Sequence, residues 1–237
     1  MSRILGLALV LSGAIAFGGP AAAQDVALAL GEDTLTLRSI QLIALLTVLS
    51  LAPGIAITVT CFPFIVTVLS IMRQAMGLQA SPPNMLIVSL AMFLTYFVME
   101  PVATAAWEAG IGPLSRGEME PGVAFTEAIA PFRAFMLARV DPDTLAHLAG
   151  LRPESDPETL AVLVPSFLLS EVSRAFQIGF LVFMPFLIID MVAAAVLMSM
   201  GMMMVPPAIV SLPFKLAFFV VVDGWTLVSG ALVRSYL

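Results

Sequence analysis

Charge is what this 237-residue chain has least of. Asp, Glu, Lys and Arg together make up 11% of it, against about 25% in an ordinary soluble domain. Lys occurs once, at Lys215, His once, at His147, and Cys once, at Cys61. A single cysteine excludes a disulfide framework or a cysteine metal cluster within the chain. A single histidine in the most polar region, with no second to join it, reads as a solvated side chain, so neither a metal nor a cofactor is expected. The net charge of −6 speaks against nucleic-acid binding, which needs clustered Lys and Arg to meet phosphates. Nucleophile–base pairs, phosphate-cradling glycine loops and metal-ligand spacings are missing too. No internal repeat is evident. The chain does not read as an enzyme.

What it has in abundance is apolar surface. With 60% hydrophobic residues and a mean hydropathy of +1.07, it reads as an all-α integral membrane protein. Arg3, the apolar stretch Ile4 to Phe17 and the small residues Ala21-Ala22-Ala23 describe a secretory signal over residues 1–23. An uncleaved first helix fits less well, because the apolar core is short and ends in Gly18-Gly19-Pro20. Residues 24–39 form a short, acidic mature N-terminal segment outside the cytoplasm.

Residues 40–99 read as a helical hairpin. From Ile40 to Met72 there is no charge, and one straight helix of that length would span about 50 Å, more than the ~30 Å hydrocarbon core. Pro53-Gly54 and Pro63 are therefore expected to kink or divide it. Ser81-Pro82-Pro83-Asn84 marks a turn, and Met85 to Met99 is a second, short apolar run. Residues 100–159 differ in kind. Ten of the sixteen acidic residues fall between Glu100 and Glu158, among short helices such as Val123 to Val140, so this is a polar helical insert. With the mature N-terminus outside and one hairpin before it, the insert lies on the outer, periplasmic side. Residues 160–237 hold two further apolar segments, Phe176 to Met204 and Ile209 to Val233.

Glu171, Arg174, Asp190, Lys215 and Asp223 sit in or beside these apolar runs, where an isolated charge costs at least about 2.5–3.5 kcal/mol. Glu171 and Arg174 are three apart on one helix face and can pair. Asp190 and Lys215 are distant and opposite in sign, so they can meet across segments or between subunits. Such ions can serve packing, a proton relay or a subunit interface. Between them lies Met198-Ser199-Met200-Gly201-Met202-Met203-Met204-Val205-Pro206-Pro207. Met can stand in for Leu in a membrane helix, but Met200, Met202, Met203 and Met204 fill four of five consecutive positions and so point in all directions around a helix. A soft, deformable seal or lining is the sharper reading.

Specific stretches resemble a known family. Ser170-Glu171-Val172-Ser173-Arg174-Ala175-Phe176-Gln177-Ile178-Gly179-Phe180, Pro185-Phe186-Leu187-Ile188-Ile189-Asp190, the Met run, Leu212-Pro213-Phe214-Lys215 and Val222-Asp223-Gly224-Trp225 closely resemble the FliP family of the flagellar type III export apparatus. Arg73-Gln74-Ala75-Met76-Gly77, Pro82-Pro83-Asn84 and Phe93-Leu94-Thr95-Tyr96-Phe97 extend the likeness, which covers about residues 45–103 and 160–237. The resemblance implies kinked helical hairpins that assemble as a pentameric ring. It also implies partnership with FliQ and FliR in an export gate, association with FlhB and FlhA, and flagellar proteins as the exported substrates. The site would be the inner membrane within the flagellar basal body. By the same resemblance Met202, Met203 and Met204, flanked by Met200, line the channel as a gasket, and Glu171, Asp190 and Lys215 fall at charged positions tied to assembly or function.

The chain departs from the family pattern at Cys61-Phe62-Pro63-Phe64, where a Ser-Phe-Thr-Arg type of sequence is usual, and at Arg174, near which Lys is common. Related injectisome subunits of the SctR type usually lack a cleaved signal and a long insert, so the flagellar reading is preferred. A self-contained proton-coupled transporter, and a docking role for the acidic insert, are the other readings. Cleavage is checked by N-terminal sequencing of the purified protein: Gln24 should come first, and an intact Met1 or Ser2 would overturn the signal.

Overall fold

The structure, a computed structural model, describes residues 32–78, 82–154, 156–202 and 204–236. The expected signal, residues 1–23, lies outside the described residues, as does Met203. The chain divides into two units, Met1–Pro53 and Gly54–Leu237. Every regular element among the described residues is helical.

Helix α1 covers Glu32–Thr58 and includes Pro53. Within the first unit its side chains at Ile40, Leu42, Ile43, Leu46 and Leu51 are exposed. The break in the long uncharged run therefore does not fall at Pro53-Gly54. It falls at residues 59–61, and α2 follows as Phe62–Ala75. Pro63 sits in the first turn of α2, where a helix has no intrahelical use for the missing N–H. Proline here starts a helix instead of bending one.

In the second unit α2 is the central element. Phe64, Ile65, Val68, Leu69, Met72 and Ala75 are buried on it, at successive spacings of one or three residues, which is one helical stripe. That stripe packs most extensively on α7, Leu160–Ser199. Ala175 and Gly179 of α7 are four apart and buried, and a Cβ on Gly179 would overlap Ile71 of α2. Small residues at this spacing bring apolar helices into close packing. On the other side, α3, Asn84–Ala106, adds Ile87, Ala91, Val98 and Met99 to the same core.

Helix α3 runs past the expected boundary at Glu100. It continues through a π-helical turn, Trp107–Ile111, closed by the Gly112 N–H donating to the Trp107 carbonyl, into α4, Gly112–Ser115. The change in composition at Glu100 marks a change in polarity, not a helix end, since Val102-Ala103-Thr104-Ala105-Ala106 remains compatible with helix. Helices α5, Pro121–Arg139, and α6, Pro142–Gly150, follow. The first nearly coincides with the expected Val123–Val140. Asp141 caps α6 by accepting from the Thr144 amide at 2.9 Å and its hydroxyl at 2.7 Å.

Among the described residues, two apolar helical stretches are long enough to cross a membrane, Asn84–Ser115 and Leu160–Ser199. The second has 40 residues, or about 60 Å at 1.5 Å per residue. Helices α8, Pro207–Val221, and α9, Gly224–Arg234, are bent by 60° and could form a third span together.

The π turn packs on α5 through Gly110. A Cβ there would overlap the carbonyl oxygen of Ala124 and lie 2.7 Å from the Ala128 amide nitrogen. Both obstacles are backbone, which yields poorly. Gly110→Ala should lower the stability of the purified protein by about 1–3 kcal/mol, the usual cost of overpacking, read as a fall in the unfolding midpoint. Gly122→Ala, with nothing within 4 Å of the added carbon, should leave the midpoint unchanged.

Candidate functional site

The site sits on the hairpin formed by α7 and α8, and buried charge holds it. Lys215 projects from α8 with its side chain only 7% exposed. Its ammonium donates to Asp190 Oδ2 on α7 at 2.5 Å and to the Ala75 carbonyl at 3.0 Å. Ala75 is the last residue of α2, where helix carbonyls lack intrahelical partners and the macrodipole is negative. Ser211, fully buried, donates its hydroxyl to the other Asp190 oxygen at 2.5 Å. Each oxygen of the carboxylate thus has a donor, and one lysine ties three helices. Asp190 and Lys215 meet across segments of a single chain.

Beyond this clamp the hairpin turns through the methionines. Residue 200 lies ten residues past Asp190, about 15 Å along the helix. Gly201 takes φ +75, a left-handed conformation that side chains with a Cβ disfavour, and the Met202 N–H donates to the Leu197 carbonyl at 3.0 Å. This closes the helix in the manner of a glycine C-cap. Helix α8 starts directly after, with Pro207 in its first turn. Met200 is 65%, Met202 42% and Met204 97% exposed, so these thioethers do not fill the core. Met200 and Met202 border an apolar groove of about 610 Å³ that runs along α7 to Phe214 of α8.

Glu171 is placed differently from the expected i, i+3 pair. It is 1% exposed, and its ion pair is with Arg139 of α5, Nε to Oε1 at 3.6 Å. The Tyr236 hydroxyl donates to its other oxygen. Arg174 turns aside, its guanidinium 6.0 Å from the centre of the Phe64 ring of α2. Burial, and then the Glu171 charge, push the Tyr236 phenol upward, so it stays a proton donor at neutral pH. Asp223 is exposed at the bend between α8 and α9, with φ 48, and joins neither cluster. Arg139, Ser211 and Tyr236 carried no sequence signal: they lie 32, 21 and 65 positions from the carboxylates they serve, and no periodicity links them.

Chemically the arrangement offers paired charges, soft apolar surface and a turn. Among the described residues no group of three or more His, Cys, Asp or Glu side chains is placed to hold a metal ion.

Comparison with known proteins finds a family match over most of the chain. The model of the FliP family matches residues 45–232. A flagellar biosynthetic protein FliP from Caulobacter vibrioides is 54% identical over 207 residues, covering 85% of this chain and 78% of that protein. The proteins of the same description from Rhizobium meliloti and Bacillus subtilis are each 45% identical, over 84% of this chain and 84% and 92% of theirs.

Breaking the clamp on one side leaves a buried charge without its partner. Asp190→Leu alone should destabilise the purified protein by about 3 kcal/mol, whereas Asp190→Leu with Lys215→Met should recover most of that. Thermal unfolding of the three variants beside wild type checks it, and equal losses in single and double variants would speak against the pair.

Proposed function

The chain belongs to the FliP family of flagellar biosynthetic proteins, and on that premise we propose that it is the core pore-forming subunit of the flagellar protein export gate. Its role is structural and transporting, not enzymatic. Five copies would form a ring with FliQ and FliR in the inner membrane of the flagellar basal body, joined by FlhB and FlhA, with the insert facing the periplasm. Unfolded flagellar proteins would pass along the axis.

The observation that carries the reading is the exposed methionine turn at the tip of a charge-clamped hairpin. Met200, Met202 and Met204 crowd around Gly201 with their side chains turned out of the core. Three thioethers per subunit from Met202, Met203 and Met204 would put fifteen around one axis. Unbranched, polarizable side chains adapt to whatever lies against them, so such a ring can close on itself and yield to passing side chains of different size. Its contacts are weak and undirected, and a moving polypeptide would not be held. Alone, one turn seals nothing.

The closed Asp190–Lys215 pair favours this reading over a self-contained proton-coupled transporter. Both charges are already neutralised by each other, by Ser211 and by a helix end, which suits a brace better than a relay. Replacing Met202, Met203 and Met204 together with Ala should raise leakage of ions and small solutes at least about tenfold through an assembled gate, while the ring still forms. Unchanged permeability in a gate of normal composition would sink the gasket.

A further inference from the structure

Buried Glu171 and partly buried Arg139 carry charges that neither the methionine turn nor the hairpin clamp accounts for. We propose that Arg139, Glu171 and Tyr236 form a latch that holds insert helix α5 against α7, with residues 235–236 as its removable bolt.

Each part comes from a different element. Arg139 ends α5, Glu171 lies in the first third of α7, and Ser235-Tyr236 follow α9. The ion pair by itself is loose: Arg139 Nε stands 3.6 Å from Glu171 Oε1, beyond a hydrogen bond. Neither atom has a hydrogen-bond partner, and Arg139 Nη2 has none either. The 235–236 segment supplies what the pair lacks. Its Tyr236 hydroxyl donates to Glu171 Oε2, and its Ser235 carbonyl accepts from Arg139 Nη1 at 2.6 Å. The Tyr236 ring lies beneath the Arg139 guanidinium at 4.0 Å, a cation–π distance. One residue therefore meets the anion through its hydroxyl and the cation through its ring face.

The ring is held in turn by aromatic neighbours. Phe64 of α2 meets it edge-on at 5.5 Å, and Phe135 of α5 stacks on it at 6.1 Å. The other ties between the insert and α7 are mostly apolar, and Phe135 meets Phe167 of α7 edge-on at 5.8 Å. The Asp141 amide donates to Ser170 Oγ at 3.0 Å, and Met136 packs on Leu163 and Phe167. With the hydroxyl removed, the Glu171 carboxylate has no hydrogen-bond donor left among the described residues. A buried carboxylate in that state is costly, and separation of α5 from α7, which lets water reach it, becomes the cheaper arrangement. The latch thus couples two parts of the chain far apart in sequence: whatever draws 235–236 away releases the insert.

Hydrogen exchange on the full-length protein in detergent tests this. Tyr236→Phe should speed amide exchange in α5 by about tenfold or more, since a hydrogen bond to a charged group is lost, and leave α8 unchanged. In a Glu171→Gln background, where no charge needs the hydroxyl, the same change should speed α5 less than about threefold, as a coupled pair requires. Exchange in α5 equal to wild type, equal acceleration of α5 and α8, or an undiminished effect in the Gln background would each overturn the latch.

Discussion

The rest of the hairpin is arranged around one ammonium group. Lys215 is the chain's only lysine, and it is buried among apolar helices, where an unpaired cation is costly by several kcal/mol. Neutralising it draws in Asp190 from α7, and the C-terminal carbonyl of α2 completes its ligation. The three helices that share this charge also share the main apolar core, to which α3 and α9 add their own side chains. Packing brings them near one another, and the charge specifies which residues face. A hairpin held this way can present a turn of flexible methionines beyond the clamp without the turn setting the position of the helices.

The unit is apolar outside as well as in. Met92, Phe93, Tyr96, Phe97, Phe176, Phe180, Met191 and Val221 are all exposed, far beyond the scattered surface hydrophobics of a soluble protein. Such a surface needs lipid or other protein against it. That need is consistent with a subunit made for an assembly. Helices of 32 and 40 residues exceed what a ~30 Å hydrocarbon core requires, so much of their apolar length must find protein partners or project beyond the lipid.

Legibility in the sequence followed the range of each interaction. The α5 boundaries, to within two residues, and the place of Asp190 and Lys215 in apolar helices could be read from composition and local pattern. The break before Pro63 was foreseen only as one of two sites, because a proline in a first turn and one inside a helix look alike in sequence. Helix α3 runs on past Glu100, where polarity changes but helix propensity does not, so composition alone does not mark its end. Glu171 shows the deeper limit. An i, i+3 neighbour was at hand, yet Arg139 and Tyr236, from 32 and 65 residues away, hold it instead.

The amino-acid sequence by itself determined that this is a helical membrane protein poor in charge, that its few ions must be neutralised, and that a methionine run interrupts its last hairpin. These follow from transfer energies and backbone chemistry, which act residue by residue. Only the tertiary structure decided who neutralises whom, and that Met200, Met202 and Met204 face outward. Partner choice among buried charges depends on which helix faces meet, and that is settled by packing over the whole core: the α2 stripe against Ala175 and Gly179, and Gly110 against α5.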